Sequence, residues 1–493
     1  MLLLGLDIGT SSIKVSIVDA ATQHCIVSTQ YPETESEISS LQTGWAEQSP
    51  EMWWEHTKLA IQKAHASNKY DPKQIEAIGI AYQMHGLVLV DKHQRVLRDS
   101  IIWCDSRAVQ IGENALHEIG DDICSSCLLN SPGNFTASKL AWVKINEPES
   151  YKLVDKMMLP GDFIAMKLTG EITTTASALS EGIFWDFKTD RISEDILRHF
   201  DFDKGIIPAV KPLFSEHGHL LHSVATGLSL KENIPVSYKS GDQLNNALSL
   251  NVMQPGEVAA TAGTSGVIYA VTDKLIADKF SRVNSFVHVN HMHDKKRLGI
   301  LLCINGTGIM NSWIRKLSDL RYDEINEEAA KIKPGSDGLD VLPFGNGAER
   351  MLRNKIIGAH IDNIDLNRHS RAHIFRATQE GIAFAFRYGM DIMKENGLRP
   401  TIIRAGKANL FLSELFVQSF VNATGVPVEL YANDGSVGAA LGAGIGAGIY
   451  KSPGEAFNNF TPLQKVEPNH VKLYNELYER WKGLLDKFLN DSE

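Results

Sequence analysis

Short apolar runs broken by glycine and hydroxyl residues dominate the start of the chain. Residues 2–6 and 13–18 are two such runs around Gly9-Thr10-Ser11-Ser12, and they predict two strands joined by a tight loop. Residues 78–81 and 87–90 predict further strands on either side of a polar turn, and residues 51–66 predict a helix opened by Pro50. The same grammar returns later: residues 258–262 and 266–270 are strand-like runs around Gly263-Thr264-Ser265. Residues 374–395 carry Ile374, Ala377, Phe384, Tyr388 and Ile392 at helical spacing and stop before Gly397. A short strand at 401–405 leads into another glycine turn. Tyr474, Leu477, Trp481, Leu484 and Phe488 line one face of a closing amphipathic helix, expected to dock on the body of the protein.

A strand-rich opening followed by βα alternation predicts an α/β protein. The segments LGLDIGTSSIKVSI and AATAGTSGVIYA both hold G-T-S between apolar runs, as an internal duplication with one phosphate-gripping hairpin per domain would produce. A chain of 493 residues exceeds a single core, so two domains are expected, at 1–246 and 247–493. No linker composition marks the 245–255 junction, which favours a hinge between packed domains over a flexible tether. The small-residue run GAALGAGIGAGIY at 438–450 is shorter than the roughly 20 apolar residues of a membrane span and predicts a tightly packed helix. The opening MLLLGLDIG meets Asp7 too soon for a signal peptide, so a soluble, cytoplasmic protein is expected.

Composition changes this picture little, with 43% hydrophobic and 22% charged residues. A formal net charge of -10 argues against nucleic acid or an anionic membrane as the main partner, while permitting a local positive site. The five cysteines are scattered and odd in number, which suggests a reducing compartment. Cys124 and Cys127 form a CxxC without a second pair or histidine cluster at zinc-site spacing, so a structural role is expected.

Five segments carry candidate chemistry. In Asp7-Ile8-Gly9-Thr10-Ser11, a turn of glycine and hydroxyl residues lets backbone N–H groups converge on a phosphate oxygen. Asp7, at a strand end, suits Mg²⁺ directly or through water; the same residues would also simply shape a hairpin. Gly263-Thr264-Ser265-Gly266 gains meaning by repeating that turn, since two such turns facing one cleft would clamp a nucleotide polyphosphate. Asp242, in Gly241-Asp242-Gln243, follows a stretch read as helix or loop and sits at the domain junction. A carboxylate there would accept a hydroxyl proton during phosphoryl transfer, or would serve only as a turn or cap residue. Gln83-Met84-His85-Gly86 offers hydrogen bonds to sugar hydroxyls, or is an ordinary polar strand end. Arg404-Ala405-Gly406-Lys407-Ala408-Asn409 lets the backbone approach an adenosine, or is a plain strand-to-helix turn.

Taken in order, these segments resemble the FGGY family of carbohydrate kinases over nearly the whole chain. The resemblance is carried by DIGTSSIK, GWAEQSPEMWW, QMHG, IWCDSR, NFTASKLAW, LPGDFIAMKLTGE, GDQ, GTSG and DGSVGAALGAG. It implies two ribonuclease-H-like (actin/hexokinase-type) domains with a nucleotide cleft between them. It further implies phosphorylation of a sugar hydroxyl by ATP with Mg²⁺, Asp242 as base, and sugar contacts from Met84, His85 and Gln243. Gly9, Thr10, Ser11, Gly263, Thr264, Gly406 and Asn409 would face the nucleotide, and Asp7 the metal. QMHG with IWCDSR resembles the branch that phosphorylates ketopentoses, D-xylulose first, and homodimers are common in the family. Ribulose, rhamnulose, fuculose, erythritol and glycerol kinases remain open at this point, as does a non-metabolic actin-like ATPase. The chain departs from the family pattern at Gln243, where asparagine is common, at 404–407, which keep one glycine, and at LPFGNGAERM, which lacks the following proline.

Overall fold

The structure is a computed structural model, and it describes residues 1–490. Two mixed sheets organise it, and each begins with a G-T-S hairpin. The first contains β1 (Leu2–Ile8), β2 (Ile13–Asp19), β3 (Cys25–Tyr31), β4 (Ile75–Tyr82) and β5 (Val236–Gly241) in the order β5-β4-β1-β2-β3. β1, β2 and β3 pair antiparallel, whereas β4 and β5 join parallel to β1. Helix α1 (Pro50–His65) covers this sheet, with Ser49 accepting the Met52 N–H at its N-cap and Trp53 and Ile61 buried. Helix α2 (Ala176–Glu181) approaches from the other half of the lobe, and α3 (Asp242–Ser249) starts directly where β5 ends.

The second sheet holds β6 (Glu257–Ala262), β7 (Gly266–Thr272), β8 (Asn284–Val287), β9 (Leu298–Ile304), β10 (Ile402–Gly406), β11 (Val428–Tyr431) and β12 (Gln464–Val466). Their order is β8-β9-β7-β6-β10-β11-β12, so the segment β9-β7-β6-β10-β11 repeats the topology of the first sheet. The predicted duplication is therefore visible as a repeated strand order, with the two G-T-S turns at equivalent hairpins. Helices α4 (Gly308–Ser318), α5 (Arg371–Glu395), α6 (Gly435–Gly446) and α7 (Val471–Asn490) complete the second half. α7 docks on the body as expected, burying Tyr474, Leu477, Tyr478, Trp481 and Leu485, and Trp481 Nε1 donates to Val341 O at 2.8 Å.

Two features were not foreseen. α3 runs unbroken across the junction assigned at 246/247. The small-residue helix α6 comes from the second half of the chain but lies on the first sheet, against β1, β4 and β5. Glycine makes that contact: a β-carbon at Gly5 would stand 1.8 Å from Ser436 O, and one at Gly79 would stand 1.9 Å from Ala439 O. Strand and helix backbones touch here, which only the missing side chains allow.

The stretch before Asp242, read as helix or loop, is instead strand β5. Its polar Ser237, Lys239 and Ser240 hid it, although every residue from Val236 to Gly241 is buried. Lys239 is tolerated there because its Nζ bonds Asp162 Oδ1 at 2.6 Å and the Thr173 hydroxyl at 3.1 Å. Cys124 is buried and Cys127 half-buried in a tight helical turn, and burial pushes the Cys124 thiol up to about 12.

Candidate active site

Register places the candidate residues before any side chain is considered. Ile8 of β1 and Gly241 of β5 both pair with Tyr82 of β4, so the three strands end side by side. Gly9–Ser11, Gln83–His85 and Asp242–Gln243 therefore emerge together at the carboxyl edge of the sheet, where ligands of open α/β sheets bind. The Gln83 N–H donates to Ile8 O at 2.9 Å, and Thr10 Oγ1 donates to Gln83 Oε1 at 3.2 Å. Thr10 Oγ1 also accepts the indole N–H of Trp103 at 3.0 Å. That hydroxyl is engaged and the Gly9 N–H closes the hairpin on Ser12 O at 3.1 Å, which leaves the Thr10 and Ser11 N–H groups as the turn's backbone donors.

Asp242 is the first residue of α3, and Asp7 the last but one of β1. Burial pushes the Asp242 carboxyl up to about 7, and the neighbouring Asp7 carboxylate adds to the rise. The backbone and side-chain amides of Gln243 bond Asp242 and oppose it, so Gln243 faces the carboxyl next to it. Asp7 is itself pushed up to about 6 by burial, with Lys14 opposing and Asp434 adding. Asp434 caps α6 by accepting the Ser436 N–H at 2.8 Å, so the start of α6 closes this acidic floor. Carboxylates that resist ionisation next to one another suit a hard divalent cation, and Mg²⁺ takes one or two of them with water completing its shell. Asp7 fits that role, and no cluster of three or more His, Cys, Asp or Glu suited to hold a metal occurs among the described residues.

His85 forms the adjoining wall in the left-handed backbone region, at φ 62°. Its Nδ1–H donates to Glu181 O at 2.8 Å, which leaves Nε2 as an acceptor, and burial pushes the imidazole down to about 3. The ring is held edge-on by Phe135 at 5.0 Å and tilted against Phe286 of β8 at 5.7 Å. The second sheet thus touches the wall of the first. Met84 is buried alongside, against Gly241.

The second hairpin is built for close approach as well. Gly308 N donates to Gly263 O and Ile309 N to Thr264 O, each at 3.0 Å, so α4 begins against the turn. A cavity of about 540 Å³ opens beside it, lined in part by Gly263, Thr264, Asn311, Tyr322, Asn326 and Asn409. The structure therefore brings Gly263, Thr264 and Asn409 together across a long stretch of sequence. Gly406 lies at the end of β10 beside Asn433, outside that lining.

Several positioning residues escaped the sequence reading. Lys139 Nζ donates to His85 O and to Ile102 O, both at 2.9 Å, and pins the QMHG and IWCDSR segments together. Glu349 accepts the N–H groups of Asn305 (3.0 Å) and Gly306 (2.8 Å) just before α4. Glu181 bonds the Tyr82 hydroxyl at 2.6 Å beneath Asp242. Lys139 lies in NFTASKLAW, which carried the family resemblance, and Glu349 in LPFGNGAERM, which departs from the family pattern, but nothing in their spacing announced the contacts.

Comparison with known proteins gives the family of the chain. The N-terminal domain model of the FGGY family of carbohydrate kinases matches residues 2–249, and the C-terminal domain model matches residues 258–448. Xylulose kinase of Escherichia coli K12 is 28% identical over 479 residues, covering 95% of this chain and 94% of its own. A crystal structure of a xyloylose kinase from Brucella ovis superposes with a TM-score of 0.88 at 26% identity, covering 98% of each chain. A gluconate kinase from Lactobacillus acidophilus shares the fold at a TM-score of 0.88 and 20% identity, over 100% of this chain and 99% of its own. With two mixed sheets of repeated topology and both family domains matched in order, this chain is a sugar kinase belonging to the FGGY family of carbohydrate kinases.

Proposed function

We propose that the enzyme transfers the γ-phosphoryl group of ATP to the primary hydroxyl of a ketopentose, with D-xylulose as the preferred substrate and D-xylulose 5-phosphate as product. The observation that carries this reading is Asp242. It starts α3 where β5 ends, next to the Met84–His85 end of β4, which in turn adjoins the first hairpin at the end of β1. Relatives named xylulose kinase over nearly the full chain support the choice of sugar.

In this reading Asp242 orients the attacking hydroxyl and takes its proton as the bond to phosphorus forms, and a carboxyl held near 7 is matched to that task. His85 presents Nε2 to a neighbouring sugar hydroxyl, because Nδ1 is committed to Glu181 O. The backbone N–H groups of Thr10, Ser11 and Gly263–Ser265 receive the phosphate oxygens, with Gly9 keeping the first turn open to them, and the cavity beside Gly263 and Asn409 receives the adenosine. Mg²⁺ held at Asp7 would supply positive charge to the phosphate oxygens. Water is also a hydroxyl nucleophile, so contact of Phe286 with His85 across the cleft helps exclude it.

Phosphorus NMR of the reaction with D-xylulose and Mg·ATP tests the reading. A phosphomonoester on the terminal carbon is expected, in step with ADP. ADP and inorganic phosphate without any phosphomonoester would contradict it and would return the chain to an ATPase.

A further inference from the structure

Glu181 ends α2 and is 1% exposed. Its Oε1 accepts the Tyr82 hydroxyl at 2.6 Å, and its main-chain oxygen accepts the His85 Nδ1–H at 2.8 Å. Its other carboxyl oxygen, Oε2, is fully covered and has no hydrogen-bond partner among the described residues. That oxygen lies over Gly241: a β-carbon built there would stand 2.8 Å from Oε2 and 2.7 Å from Met84 Cγ. The orphan atom therefore sits in the seam between Met84, His85 and Asp242. A buried acid oxygen without a partner is costly, and such groups mark strain, a missing water or a ligand contact. Here the adjoining cover is a methionine thioether, the most adaptable of apolar side chains.

We propose that Glu181 is a specificity-determining contact of the sugar site, its Oε2 engaging one substrate hydroxyl once the Met84 side chain gives way. The inference rests on the reading of the Met84–His85–Asp242 wall as the sugar site. Burial holds the Glu181 carboxyl well above the usual range, with the nearby Asp242 and Asp162 adding to it, so it can donate as well as accept. A second carboxyl beside Asp242 suits a neutral polyhydroxy ketose and disfavours a sugar acid. Nothing in the segment ASALSEGIF announced this, because a glutamate at a helix end is usually solvated.

The test is steady-state kinetics of wild type, Glu181→Ala and Glu181→Gln on the best wild-type sugar and its monodeoxy analogues. Wild type should disfavour one analogue by about 100-fold or more in kcat/KM. Glu181→Ala should bring the parent sugar down to that analogue, with the ratio near one, while KM for ATP holds. An equal loss on the parent and every analogue overturns the proposal, because Glu181 would then only brace Tyr82 and His85. If the alanine variant does not fold, Glu181→Gln decides. A changed ratio for that single analogue supports the contact, and unchanged ratios throughout overturn it. A failure of the ketopentose reading shows earlier and separately, as a different best sugar for the wild type.

Discussion

Asp242, the proposed base, illustrates how a functional role would work against stability. Its carboxyl is held near 7 in the folded protein and is an ordinary acid in the unfolded chain, so folding takes up a proton. Because the folded pKa is raised, its stability contribution is full in acid, below the unfolded pKa, and is lost as pH rises through about 7. Asp242→Asn should therefore raise Tm near pH 8 by about 4 °C, and the gain should vanish near pH 4. Differential scanning calorimetry at the two pH values checks this, and an equal shift at both would show that charge is not the cause. Activity has the opposite sign, since the base works only when ionised. Sugar kcat/KM should fall about tenfold per pH unit below about 7. Asp242, Met84, His85 and the two turns were legible in the sequence because each sits in a short, ordered run of turn and polar residues. Glu181 and Lys139 were not, because their partners lie 99 and 54 positions away in the chain.

At the scale of elements, the hairpins were readable because their strands are local and apolar. β5 was missed because Ser237, Lys239 and Ser240 interrupt its apolar pattern; the α6 backbone compensates the burial of Ser237 and Asp162 that of Lys239, while Ser240 Oγ has no partner among the described residues. The small-residue helix was predicted as tightly packed, but its site on the first sheet depends on a contact between positions 5 and 436, which no local pattern encodes. Gly79→Ala should push α6 off β4, since the new methyl would stand 1.9 Å from Ala439 O. A loss of about 3 kcal/mol or more in urea unfolding is expected, and a loss under about 1 kcal/mol would mean that the two backbones separate easily. Lys139→Met acts between elements. It takes the short ammonium bonds from the His85 and Ile102 carbonyls, which keep only the longer ones from the Thr136 hydroxyl (3.3 Å) and the Asp105 N–H (3.2 Å), and should cost about 1–2 kcal/mol. KM for the sugar should rise with it, and KM for ATP should not. A variant with normal sugar KM would show that the wall holds its shape without the ammonium.

Across the whole molecule, a duplicated strand order gives each lobe one G-T-S hairpin, and α3, α6 and the contact of α2 with β8 tie the lobes together. The two-lobed architecture could be anticipated from the repeated G-T-S units, whereas the way α6 crosses back could not. The lobes should close on sugar about these ties. Small-angle scattering should show a smaller radius of gyration with saturating sugar, and an unchanged radius would argue against closure. The fold itself does not choose the sugar, since a gluconate kinase shares it. In the proposed reading that choice belongs to the wall beside Asp242.

The most direct measurement is ADP release from Mg·ATP with a panel of ketopentoses, ketohexoses and polyols, run on wild type and Asp242→Asn side by side. Release that depends on D-xylulose and falls by about 100-fold or more in the variant is the expected result. Release indifferent to every sugar, or full turnover by Asp242→Asn, would contradict it.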